Sequence, residues 1–163
     1  MSMTALVWLV TAGVLVHNAE EAMTLPAWSA SAGRWHRPVG AGEFRVAVAA
    51  LSALLVALAG GASFAGPRSL AATLFAGYVS AMVANVLVPH LLATIAMRRP
   101  MPGTATAVAL NLPLGVWFLR RALAEGYVDG PTLAWAAPLT ALSLVLSIPL
   151  LFALGRRVVA CGQ

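Results

Sequence analysis

Five consecutive residues, His17-Asn18-Ala19-Glu20-Glu21, hold three of the eight His, Asp and Glu side chains in a chain otherwise dominated by aliphatic side chains. On an α-helix, spacings of three and four put His17, Glu20 and Glu21 within an arc of about 100°. A charged carboxylate deep in a bilayer-spanning helix costs about 2.5–3.5 kcal/mol even on the mild insertion scale. Two side by side cost more, because each ionised group disfavours ionisation of the other. Something positive must offset this. The chain has no lysine, which leaves arginine, imidazolium or a metal ion. His17 and Glu21, at i and i+4, present two ligands to one ion from one face, as paired ligands do in zinc hydrolases. Glu20, next to a ligand, is placed to take a proton from metal-bound water and is the candidate catalytic base.

Depth arithmetic brings further groups to the same layer. His17 lies about six residues before the end of the first apolar run at Met23, and His90 lies about seven before Met97. Asn111 lies about seven after the start of another run at Thr104. At about 1.5 Å per residue, all three sit roughly 9–10 Å inside one membrane face. His90 is thus the third candidate metal ligand, and His36, on a connecting segment of that face, a fourth. Asn85 and Asn111 are supporting polar groups. Pro89 cannot donate to the Asn85 carbonyl, so that carbonyl and the Asn85 amide both need partners. Plainer readings stand beside these. The carboxylates also suit an interfacial helix end paired with Arg34 or Arg37, and His90 suits a buried histidine bonded to a neighbouring helix. Asn85 and Asn111 suit ordinary interhelical hydrogen bonding, and His36 an interfacial loop. Gly77, Ala81 and Ala84 read as small residues for close helix packing.

These residues need elements to position them, and the composition says which. The chain has 163 residues, 61% apolar and 9% charged, with a mean hydropathy of +0.88. Soluble domains run nearer 45–50% apolar and about 25% charged. The ten arginines are too scattered for a phosphate-binding face, so nucleic acid is excluded as a partner. The absence of lysine excludes a retinal or pyridoxal Schiff base. One cysteine, Cys161, excludes an internal disulfide and any multi-cysteine metal site. A spanning helix takes about 20 apolar residues, and five such runs fit the chain: about 3–23, 43–64, 69–97, 104–121 and 131–154. The expected fold is an all-α integral membrane bundle of five transmembrane helices, forming a single domain over 1–163.

The first run is read as a spanning helix and not as a secretion signal, since it lacks a basic start and leads straight into Glu20 and Glu21. The third reaches about 43 Å and must tilt or project beyond the hydrocarbon. Between the first two runs, Trp28 and Trp35 are seven residues apart, which predicts a short interfacial segment. With five spans, Arg34, Arg37, Arg45, Arg98, Arg99, Arg156 and Arg157 share one side and Arg68, Arg120 and Arg121 the other. That asymmetry predicts the N-terminus outside and the C-terminus in the cytoplasm of a bacterial inner membrane.

The pentapeptide, the run from Asn85 to His90, the Pro102-Gly103-Thr104 turn and Asn111-Leu112-Pro113 together resemble the HXXEE-domain family of small bacterial integral membrane proteins. The resemblance covers roughly helices one to four. An aromatic residue often precedes the Pro-Gly turn in that family, where this chain has Met101. The resemblance implies a small helical membrane protein and supports the site, but it supplies no reaction. In geometry alone, His17-x-x-Glu20-Glu21 is also similar to the H-x-x-E-H arrangement of inverted zinc peptidases, with Glu21 where their second histidine stands.

The leading expectation is a membrane metalloenzyme using a divalent metal, zinc before iron, for hydrolase-type activation of water. Its substrate is small or lipid-soluble and is met at the cytoplasmic side; membrane lipid surrounds it, and a homo-oligomer is open. The alternatives are metal-free acid catalysis by one glutamic acid of the pair, a di-iron oxidoreductase, and a non-enzymatic transporter or proton relay. Helical di-iron sites usually present four carboxylates, which ranks that reading lower.

Overall fold

The computed structural model describes residues 1–33 and 36–161. Five helices, each long and apolar enough to cross a membrane, make up an all-helical bundle: α1 Met3–Ser29, α2 Ala41–Ala65, α3 Leu70–Met97, α4 Thr104–Ala124 and α5 Gly130–Cys161. Local chemistry sets several of their starts. The Ser2 and Ser69 hydroxyls accept from the backbone N–H of Ala5 and Ala72, each at 3.1 Å, capping α1 and α3. Glu43 reaches back to accept from Gly40 N–H at 3.0 Å at the start of α2. Asp129 accepts from Thr132 N–H at 2.9 Å before α5. The Thr132 hydroxyl and N–H also hold the Asp129 carboxyl below its usual range.

Two helix ends differ most from the sequence expectation, and the first does so for an identifiable reason. The first helix runs to Ser29, past Met23 and through Pro26. Proline lacks the N–H that would bond the carbonyl four residues back, that of Ala22. Arg45 Nε, from α2, donates to that carbonyl at 3.2 Å instead, and the helix continues. The interfacial segment between α1 and α2 is correspondingly short, and Trp28 belongs to the helix end. The Trp28–Trp35 pairing, with Arg34, lies outside the described residues. The fifth helix extends beyond Leu154 to Cys161.

Both α3 and α4 are interrupted by a wide turn ahead of the site. In α3 it spans Val86–Leu91, where Val88 is extended (φ −135°, ψ 114°) and Leu92 N–H reaches the carbonyl of Leu87, five residues back. In α4 it spans Ala107–Asn111, with Leu112 N–H bonded to Ala107 O. Pro89 and Pro113 explain the two places, since each removes an ordinary helical donor. The extended Val88 breaks the helical register of α3, so the direction of His90 is not set by helix periodicity counted from the first part of α3.

The apolar core fills one half of the bundle. Leu6, Val7, Val10 and Val14 of α1 pack there with Leu55, Phe75, Val79 and Phe118, all buried. Phe75 and Phe118 meet edge to face at 5.2 Å, and Tyr127 donates to Ala62 O at 2.8 Å. Hydroxyls inside the helices mostly bond their own backbone, as Thr11 does to Val7 O and Ser80 to Ala76 O, which satisfies them without water. The site begins where this core ends, one turn beyond Val14.

Candidate functional site

His17, Glu20 and Glu21 descend from α1, His90 arrives from the wide turn of α3, and the Pro102-Gly103 turn closes over them at the start of α4. The His17 and His90 rings are fully buried and meet nearly perpendicular, with centroids 4.9 Å apart. Glu21 lies between them: its Oε2 is 3.6 Å from His17 Nε2 and its Oε1 is 3.5 Å from His90 Nε2. One ligand atom from each of the three residues lies within 4.8 Å of the others. His17 Nε2 and both ring nitrogens of His90 are buried without a well-formed hydrogen bond, although the Pro102 backbone lies within reach of the His90 ring. Buried polar groups are normally bonded, so three orphan nitrogens around one carboxylate need an explanation.

Gly103 organises the rest. Its φ of +81° belongs to the left-handed region that glycine adopts freely. A Cβ there would come within 2.8 Å of His17 Cε1 and 2.9 Å of both Glu21 Cγ and His90 Cε1. The backbone therefore lies directly against all three residues. Its N–H donates to Glu20 Oε1 at 3.1 Å, and Thr106 Oγ1 donates to Glu20 Oε2 at 2.6 Å. Both carboxylate oxygens of Glu20 are thus engaged. The Gly103 carbonyl, an acceptor only, lies 3.2 Å from His17 Nδ1. His17 Nδ1 must therefore carry a proton, and in the neutral ring the lone pair is then on Nε2, facing Glu21. Thr106 Oγ1, whose own proton goes to Glu20, lies 3.1 Å from the same Nδ1 and accepts as well.

The other candidates take different places. His36 stands apart: its ring packs edge-on to Trp28, centroids 5.8 Å apart, and its Nδ1 donates to Arg37 O at 2.6 Å. It is not among the three residues whose ligand atoms converge. Asn111 is buried, with neither amide atom hydrogen bonded. Asn85 is half-buried and, with Asn18 and Glu21, lines a cavity of about 320 Å³ between α1, α2, α3 and α5. The small residues of α3 divide in function. Gly77 does pack closely, since a Cβ would meet Thr140 Oγ1 at 2.5 Å, whereas Ala81 and Ala84 line the cavity.

Residue types and spacing do not assign Gly103 or Thr106 to the site. Their one visible signal is a Pro-Gly turn followed by two threonines at a helix start. Asn18 lies within the pentapeptide, but nothing in the spacing gives it a role; its Nδ2 donates to Ser52 Oγ at 2.9 Å, tying α1 to α2 beside the cavity.

Residues 8–118 match the family described as protein of unknown function with HXXEE motif. The matched stretch holds every residue of the converging cluster and the Gly103 turn, and ends before α5. The chain is also 31% identical over 145 residues to the uncharacterized protein YrkK of Bacillus subtilis (strain 168), covering 89% of this chain and 92% of that protein. No solved structure matches the chain. A buried His-Glu-His cluster built on the motif's first and last positions thus sits in a chain that belongs to the HXXEE family.

Proposed function

We propose that His17, Glu21 and His90 form a mononuclear metal centre of a membrane enzyme that activates water for hydrolysis of a lipid-soluble substrate. The observation that carries this reading is the convergence of unpartnered, buried imidazole nitrogens on one carboxylate. Each imidazole has a Glu21 oxygen at 3.5 or 3.6 Å, a different oxygen for each ring. One atom from each residue lies within 4.8 Å of the others, so the three must draw together to reach the edge of about 3.3–3.4 Å of a tetrahedron with bonds of about 2.0–2.1 Å. The proton on His17 Nδ1 supports it as well, because metal-bound histidines commonly donate their other N–H to a backbone carbonyl. Three protein ligands leave a position for water or substrate, as in catalytic zinc sites. A divalent ion there, zinc before iron, would supply the activation of water.

In this reading Glu20 is a positioning residue and not the base. A carboxylate already accepting from Gly103 N–H and Thr106 Oγ1 fixes the turn that orients His17. A di-iron centre fits less well, because Glu21 is the one carboxylate in the described cluster. We place the protein in a bacterial cytoplasmic membrane, N-terminus outside, on the arginine asymmetry; the site then lies toward the cytoplasmic leaflet.

The test is metal content. Protein purified without chelator should carry close to one equivalent of metal, and His17→Ala or His90→Ala should each lose it. Wild-type protein that is metal-free and takes up no zinc or iron at neutral pH would sink the centre and leave acid catalysis or a proton relay.

A further inference from the structure

Glu21 belongs to two environments at once. One side meets the histidines; the other lines the cavity between α1, α2, α3 and α5. Along α5 that cavity runs from Ala141 to Phe152, about 16 Å at 1.5 Å per residue. It is long and narrow, and at about 320 Å³ it lies at the bottom of the range for small-molecule sites. A two-chain phospholipid is several times too large. Beyond Tyr78 and Leu144, which line both, a second apolar cavity continues toward Trp135. The walls are aliphatic and aromatic, and the polar side chains near Glu21 are the neutral amides of Asn18 and Asn85. No arginine is among the described lining residues. Val88 and Val145, on the walls, are 62% and 61% exposed, so the cavity is open along α3 and α5; with both helices crossing a bilayer, that opening would meet hydrocarbon.

We propose that this cavity binds a neutral single-chain amphiphile, such as an acyl ester of a small alcohol. Its polar carbonyl end lies at Glu21 and Asn85, and its chain runs along α5 toward Tyr78. Neutrality follows from charge in the metal-free protein: a fatty-acid carboxylate would lie against Glu21 with no arginine among the described lining residues. Assigning this amphiphile as the substrate rests on the metal-centre reading above; its binding does not.

The experiment uses the full chain in phospholipid nanodiscs. The probe is a monoacylglycerol carrying a photoreactive diazirine in its chain, added to metal-free and to zinc-loaded protein. Labelling should saturate, map to wall positions such as Met82 and Leu144, and fall at least tenfold with excess unlabelled monoacylglycerol. The matching fatty-acid probe should label the metal-free protein at least tenfold less. Ala81→Phe and, separately, Ala47→Leu fill the cavity and should suppress labelling while thermal unfolding and zinc content stay at wild-type values. If both variants fail to fold, competition on the wild type still decides. Labelling that does not saturate, or that is as strong on the outward Leu146 and Leu150, overturns the proposal. Equal labelling of the metal-free protein by the fatty acid overturns the neutral headgroup. Saturable labelling of a protein that binds no zinc removes the metal centre and leaves the amphiphile site standing; zinc uptake without saturable labelling does the reverse.

Discussion

His17 and Gly103, 86 residues apart in sequence, touch twice: the imidazole Nδ1–H donates to the glycine carbonyl at 3.2 Å, and the ring edge lies where a Cβ would otherwise be. The turn before α4 therefore sets both the tautomer and the position of a helix-1 side chain. Gly103→Ala should disrupt both. An alanine at φ +81° costs about 1–2 kcal/mol for the left-handed backbone, and the contacts at 2.8–2.9 Å add a further overpacking cost. We expect a lower unfolding temperature in detergent and zinc uptake reduced at least tenfold. Wild-type values for both would show that the turn is not holding the site.

His90 offers a cleaner separation of stability from function. Both its ring nitrogens are buried without a well-formed hydrogen bond, the Pro102 backbone being the one group within reach, and an unsatisfied buried group costs about 1–3 kcal/mol. His90→Leu should therefore make metal-free protein more stable, by about 1–3 kcal/mol. Zinc at a hundred times its dissociation constant should stabilise the wild type by about 2.7 kcal/mol and leave the variant unmoved. Thermal unfolding with and without zinc reads both effects. Destabilisation of the metal-free variant would mean that His90 is a structural core residue.

The cluster is legible in the sequence because helix periodicity and equal depth along antiparallel spans are simple geometry. His17, Glu21 and His90 do meet, although α1 continues well past Met23, where the apolar run alone would end it. What spacing leaves open is the division of labour between Glu20 and Glu21, which share one helix face. The partner that separates them is a backbone N–H of Gly103 and a hydroxyl of Thr106. Backbone groups carry no residue-type signature, so no count of side chains reveals them. His36 shares the membrane face of the site, but a common layer does not fix lateral position, and Trp28 holds it at the end of α1. The break at Pro89 is readable, whereas the direction in which the wide turn re-aims His90 depends on packing against α1.

Glu20→Gln and Thr106→Val test the division of labour. Gln keeps one acceptor but replaces the other oxygen by a donor, so either the Gly103 N–H or the Thr106 hydroxyl loses its acceptor. Val removes the hydroxyl outright. If Glu20 positions the turn, both variants should weaken zinc binding by about 10–100-fold, the usual effect of removing a partner behind a metal ligand. Zinc titration by calorimetry measures this. Unchanged affinity in both variants, with hydrolysis of a monoacylglycerol lost in Glu20→Gln alone by about 10²–10⁴-fold, would restore Glu20 as the general base.

Orientation has its own test at Cys161, which is exposed at the end of α5. Seven arginines against three predict that this end is cytoplasmic. A membrane-impermeant maleimide should label Cys161 in inverted vesicles and not in intact cells. Labelling from outside would invert the topology and place the His-Glu-His cluster toward the external leaflet.

The passage of α1 through Pro26 depends on one side chain of α2, and that dependence can be isolated. Pro26 withholds a donor from the Ala22 carbonyl, and Arg45 Nε supplies one at 3.2 Å. Because the pair is exposed, Arg45→Met should cost little in global stability, about 1 kcal/mol or less. Its effect should be local: faster hydrogen exchange for the amides of 27–29, by about fivefold per kcal/mol of lost protection. Pro26→Ala restores the ordinary helical donor, so Ala22 no longer needs Arg45. In that background, Arg45→Met should leave exchange at 27–29 almost unchanged. The coupling between the two positions is therefore the measurement. Additive effects in the double variant would mean that Arg45 acts elsewhere and that α1 crosses Pro26 by packing alone.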